Sequence, residues 1–86
     1  MPKIMLSGQA QLEFAALDKS AKLVFAKRLV KLESAPPRKH LKGGGGYSVD
    51  EVGQGRIICQ QKGEELLVLH VFATHKEYER WYRGEV

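Results

Sequence analysis

A single cysteine, Cys59, leaves the chain without an internal disulfide framework or a paired-cysteine metal motif. No apolar run approaches the roughly 20 residues needed to cross a bilayer, and Met1-Pro2-Lys3 opens no signal-peptide hydrophobic region. A cytoplasmic location with no membrane partner is therefore expected. The histidines are His40, His70 and His75, with no carboxylate at ligand spacing, so neither zinc nor another metal is expected. Gly43 to Gly46 lack the following lysine and hydroxyl residue of a phosphate-binding P-loop, and they read as a flexible surface connection. No serine–histidine–aspartate arrangement is visible. Aromatic residues make up only 8% of the chain, yet Tyr78, Trp81 and Tyr82 gather near its end.

What is present describes one domain spanning residues 1–86, with 43% hydrophobic and 28% charged residues. A domain of this size buries only about two-thirds of its surface, so a partner's contribution to its stability is expected. Lys3 to Leu6 suits an edge strand, and Ser7-Gly8 punctuates its end. Gln9 to Leu17 reads as a helix with Leu12, Ala15 and Ala16 on one face and Phe14 and Leu17 beside it. Asp18 and Ser20 suit a cap, and Ala21, Phe25, Leu29 and Leu32 then form the apolar stripe of a second helix. Lys27 and Lys31 lie on its outward face. Ala35-Pro36-Pro37 ends that helix, because proline lacks the amide donor and disfavours helical geometry before it.

From Tyr47 the apolar period becomes that of strands, namely Tyr47 to Val52, Arg56 to Gln61 and Leu66 to Phe72, separated by turns at Gly53-Gln54-Gly55 and Lys62-Gly63-Glu64. Such short turns force an antiparallel meander. Leu66 to Phe72 is almost continuously apolar and should be central. Thr74 and Glu77 fit a capping box, so a short helix should begin at His75. Its residues His75, Tyr78 and Tyr82 share a face, while Lys76, Arg80 and Arg83 follow another line. The expected class is α+β, in the order β-α-α-β-β-β with a short C-terminal helix. A two-helix hairpin packs on one face of a small, twisted, mostly antiparallel sheet, leaving the opposite face free to be a cleft.

The net charge of +4 hides an asymmetry. Between Lys19 and Lys42 stand Lys19, Lys22, Lys27, Arg28, Lys31, Arg38, Lys39 and Lys42 against Glu33 alone. A basic half of this kind suits a polyanionic partner, nucleic acid or an acidic protein segment, although charge runs are usually only solvated faces. Arg56 begins a strand where an arginine is more often a rim residue with an ion pair. It gains interest because the cleft would also hold His75, Lys76 and two tyrosines, backed by Arg38, Lys39 and Lys42. That mixture suits RNA cleavage by the 2′-hydroxyl, which needs a base, an acid and cations around a pentavalent phosphate, with aromatic faces to stack bases and no metal.

The succession LKGGGGYSV, GRIICQ and LLVLHVFATHKEYERWY resembles the RelE/ParE superfamily of bacterial toxins, the toxic halves of type II toxin–antitoxin pairs. The resemblance covers nearly the whole chain, and the THKEY segment is similar to the HigB branch. It implies a RelE-like fold and a ribosome-dependent mRNA endonuclease (an mRNA interferase that inhibits translation), bound at the small-subunit decoding site and silenced by a cognate antitoxin, without a cofactor. In the RelE-like alignment Arg56 falls on the arginine that stabilises the transition state, Lys76 on a second catalytic cation and Tyr82 on a terminal tyrosine. In the HigB-like alignment His75, Glu77 and Tyr78 match the terminal motif. The implied catalytic set is Arg56, His75, Lys76, Tyr78 and Tyr82. Lys27, Arg28, Lys31, Arg38, Lys39, Lys42 and Arg80 are the expected RNA- or ribosome-binding residues. Ser48 and Asp50 stand where RelE carries lysines, so the general base of that pattern is missing, and His75, His40 or His70 is left to supply it. Alternatives on the same fold are a gyrase-directed toxin and a degenerate member that only binds RNA or its antitoxin.

Overall fold

The computed structural model of the chain describes residues 3–33 and 47–84. Arg38, Lys39, His40 and Lys42 lie outside the described residues, as does the glycine run before Tyr47. The elements are β1 (Lys3–Leu6), α1 (Gly8–Ala15), α2 (Lys19–Glu33), β2 (Tyr47–Val52), β3 (Gly55–Lys62), β4 (Glu65–Phe72) and α3 (His75–Tyr82). The sheet order is β1-β4-β3-β2, with β1 parallel to β4 and the other pairs antiparallel. This is the expected α+β architecture, with β4 in the interior of the sheet.

Both hairpins close through two-residue turns that begin at a left-handed glycine, Gly53 at φ 58° and Gly63 at φ 59°. Glycine at the first turn position gives the backbone twist that matches the strands on either side. The first turn sets Glu51 directly opposite Arg56 across β2 and β3.

One layer of core forms between the sheet and the pair α1 and α2. Phe25 and Leu32 of α2 meet Ile57, Cys59, Leu66, Val68 and Val71, all buried. Burying a leucine, isoleucine or phenylalanine contributes roughly 1.5–3 kcal/mol, so this layer holds the helices to the sheet. Phe25 packs so closely over Gly55 that a Cβ there would stand 2.3 Å from its Cζ and 2.8 Å from the Phe72 carbonyl oxygen. Asp18 caps α2, its carboxylate accepting from the Ala21 amide at 2.8 Å and the Ser20 hydroxyl at 3.0 Å. The Ala21 amide, followed by the Ser20 hydroxyl, holds the Asp18 carboxyl below its ordinary value.

α1 departs from the expected orientation. Leu12 is 68% exposed, and Ala15 and Ala16 face solvent, while Ala10, Phe14 and Leu17 pack inward with Glu13 beside them. The reason lies at the edge of β4. β1 ends opposite Val68, so the remainder of β4 has no strand on that side. Ser7 caps α1 by accepting from the Ala10 amide and donates its hydroxyl to the Leu69 carbonyl at 2.9 Å. Glu13 then accepts from the Val71 amide at 2.7 Å. Two α1-associated side chains thus take over the hydrogen bonding that a longer β1 would have supplied.

The second departure is on the other face of the sheet. Ile58 opposes His70 and Cys59 opposes Val68, so Leu69 is an extra residue that shifts the alternation of β4. Before it Leu66 and Val68 face the helical pair; beyond it Val71 does, and His70 and Phe72 point the opposite way, beneath α3. The face opposite α1 and α2 is therefore partly covered by α3 rather than left wholly open.

Candidate functional site

α3 begins as its capping box dictates. The Thr74 hydroxyl accepts from the Glu77 amide at 3.2 Å, and Glu77 reaches back to the Ala73 amide at 3.0 Å, one residue earlier than the usual partner. The helix then lays Tyr78 and Trp81, both partly buried, on the sheet. The Trp81 ring lies 5.2 Å from His70, 5.7 Å from Phe72 and 5.5 Å from Tyr47 between centroids. Tyr78 lies 6.4 Å from Phe72, so an aromatic cluster fixes the helix. His70 stacks on Phe72 and also bonds Glu13 through Nδ1 at 3.1 Å.

At the start of this helix Arg56 meets His75 and Tyr78. The Arg56 Nη2 is 3.2 Å from His75 Nδ1, and its guanidinium carbon is 6.0 Å from the centre of the Tyr78 ring. Nη1 donates to the Gly55 carbonyl at 2.7 Å and the Gly53 carbonyl at 3.3 Å, so the turn that precedes Arg56 also holds its head group. Nη2 additionally pairs with Glu51 Oε1 at 3.1 Å; the Arg56 side chain is 12% exposed and that of Glu51 74%. On the far side of the imidazole, His75 Nε2 is 2.6 Å from Glu79 Oε1, and the other Glu79 oxygen meets Arg83 at 3.1 Å. Burial, followed by the nearby Tyr47 and Tyr82, pushes the Tyr78 phenol above its ordinary value, with Arg56 opposing. Tyr78 is accordingly a protonated phenol at neutral pH, a donor rather than a base.

Arg56, His75 and Tyr78 are thus brought together, and Tyr82 extends the row, 6.0 Å from Tyr78 between ring centres and 64% exposed. Lys76 is exposed on α3, outside the Arg56–His75 contact. Arg80 turns the other way, lining with Glu13, Leu17, Phe72 and Glu77 a groove of about 300 Å³ between α1 and α3. Lys27 and Lys31 are exposed on α2, across the sheet from Arg56, whereas Arg28 leans inward to Asp50, with Nε 3.4 Å from Oδ2. Ser48 is buried on that same side of the sheet at 6% exposure. Ser48 and Asp50 therefore do not face Arg56; the acidic group that does is Glu51. The two-residue turn between positions 51 and 56 was the signal that could have found it. Among the described residues no group of three histidine, cysteine or acidic side chains is placed to hold a metal.

This arrangement sits on a known scaffold, since the chain has the fold of the RelE toxins. The isolated E. coli RelE toxin superposes with a TM-score of 0.75 at 16% identity, covering 100% of both chains. The intact E. coli RelBE toxin–antitoxin complex gives 0.72 at 18% identity over 84% of this chain and 95% of that one. The RelB–RelE antitoxin–toxin complex of Methanococcus jannaschii gives 0.67 at 15% identity over 91% and 98%. Neither a protein-family model nor a curated protein sequence matches the chain.

Proposed function

We propose that this chain is the toxin of a type II toxin–antitoxin pair and cleaves messenger RNA in the small-subunit decoding site of the ribosome. The observation that carries the reading is the Arg56–His75 contact at 3.2 Å beside Tyr78, on the sheet face opposite α1 and α2. The RelE-like fold, seen in toxins solved with their antitoxins, supports a cognate antitoxin as partner. In this reaction the 2′-oxygen attacks the adjacent phosphorus and the bond to the 5′-oxygen breaks, giving a cyclic phosphate and a free 5′-hydroxyl. Arg56 offsets the charge that builds on the phosphoryl oxygens. His75 exchanges the proton, and Tyr78, protonated, orients or donates to the nucleotide. Tyr82 offers an exposed face for base stacking. Lys76, exposed on the same helix, supplies a cation for RNA at the site, whereas Arg80 in the α1–α3 groove and Lys27 and Lys31 across the sheet would meet only RNA or ribosome that extends beyond it. The chemistry proceeds in the cytoplasm without a cofactor.

Controlled expression followed by mapping of 5′ ends on ribosome-bound messenger RNA tests the reading. New ends within translated codons are expected from the native chain and not from Arg56→Ala. Growth arrest without such ends would place the target elsewhere, gyrase included.

A further inference from the structure

We propose that Glu51 is a built-in occupant of the anion position on Arg56, which an incoming phosphodiester must displace. The proposal rests on the reading of Arg56 as the phosphate-holding group. Four acceptors surround the two terminal nitrogens of Arg56, and they differ in how readily they leave. Two are the carbonyls of Gly53 and Gly55, part of the turn itself. The third is His75 Nδ1, whose ring is held from its other side by Glu79 at 2.6 Å. The fourth is Glu51 Oε1 at 3.1 Å, on a side chain that is 74% exposed.

Of the two acceptors that sit on side chains, Glu51 is the more exposed, at 74% against 52% for His75. Among the described residues it has no second partner of the kind Glu79 gives His75, so it departs the more readily by rotating its own side chain. It places an anionic oxygen against Nη2, as a phosphoryl oxygen would, and while there it neutralises the guanidinium. Register makes the contact recurrent: Glu51 is directly across from Arg56, so every time the hairpin closes, the carboxylate is within reach. Its exposure makes release easy, because an exposed carboxylate regains water as it leaves and an ion pair of this type is worth little. The consequence is a site that discriminates against weak single anions and opens to a ligand with further contacts, such as a polynucleotide stacked on the neighbouring tyrosines. Glu51 is a positioning residue here and takes no part in bond making.

The experiment is a titration of the folded chain, carrying ¹⁵N-labelled arginine side chains, with inorganic phosphate at fixed ionic strength. It compares the native chain, Glu51→Gln, Glu51→Ala and Arg56→Ala, after thermal melting has shown each to be folded. Both Glu51 variants should bind phosphate about twofold to fivefold more tightly, the factor to which a largely exposed ion pair corresponds; Arg56→Ala should abolish the response. In ribosome cleavage assays Glu51→Gln should lower the half-saturating concentration at an unchanged rate constant. Equal phosphate affinity in native and Glu51-substituted chains overturns the proposal, as does a lack of phosphate binding to any of them. Loss of the cleavage rate constant in Glu51→Gln also overturns it, by placing Glu51 in the chemistry. Tighter phosphate binding in chains that never cut messenger RNA would sustain the role of Glu51 while refuting the nuclease reading.

Discussion

Arg56 and His75, nineteen residues apart in the chain, meet through a nitrogen-to-nitrogen hydrogen bond of 3.2 Å that fixes the imidazole tautomer. A guanidinium only donates, so His75 Nδ1 accepts and its proton lies on Nε2, directed at Glu79. Long-range ¹H–¹⁵N spectra of the folded chain should show Nδ1 as the unprotonated nitrogen. In Arg56→Ala that preference should weaken, and cleavage should fall by about 10²–10³, the range for removing one preorganised donor. A proton on Nδ1 in the native chain would contradict the contact.

The Tyr78 phenol should ionise above the ordinary range of a tyrosine. Burial, then Tyr47 and Tyr82, raise its phenol in the folded chain above the ordinary value of about 10. The folded state therefore favours the protonated phenol; the associated stability is complete below the unfolded value and is lost as pH rises through the folded one. Phenolate absorbance should show a late step that Tyr78→Phe removes, and that variant should resist alkaline unfolding better than the native chain. In cleavage assays Tyr78→Phe should cost more than Tyr82→Phe if the HigB-like alignment of the terminal helix is the correct one.

Glu13 should matter to stability despite its charge. It is mostly buried, and it accepts from both the Val71 amide and His70. Glu13→Ala leaves a strand amide without its partner and should destabilise by about 1–3 kcal/mol in urea unfolding. Hydrogen exchange at the Val71 amide should accelerate at the same time. An unchanged exchange rate would mean that something other than Glu13 protects it.

The pattern of successes in reading the sequence follows from how local each signal is. The Thr74–Glu77 box and the glycines of both hairpins act within a few residues, and they mark α3 and the meander correctly. The orientation of α1 was illegible because it depends on where β1 stops: only a truncated edge makes an inward Glu13 better placed than an inward Leu12. Alternation in β3 put Arg56 and Ile58 on one side, but no residue in β4 announces the extra position at Leu69, so the side to which His70 and Phe72 turn was hidden. The grouping of Arg56, His75 and Tyr78 could be suspected from residue types. The partner that Arg56 takes in Glu51 needed the register of the hairpin, and the inward turn of Arg28 needed the position of Asp50.

The extra residue in β4 works like a frameshift in the chain's assignment of inside and outside. Up to Val68 the even-numbered positions of β4 belong to the helix-facing core, and from His70 onward the even-numbered ones belong to the aromatic cluster under α3. Alternation alone lets β4 serve both layers; the extra residue decides which side chains go to each, and without it Val71 rather than His70 and Phe72 would lie under α3. An 86-residue chain can in this way keep a packed core and still build a second surface bearing its arginine, histidine and tyrosines.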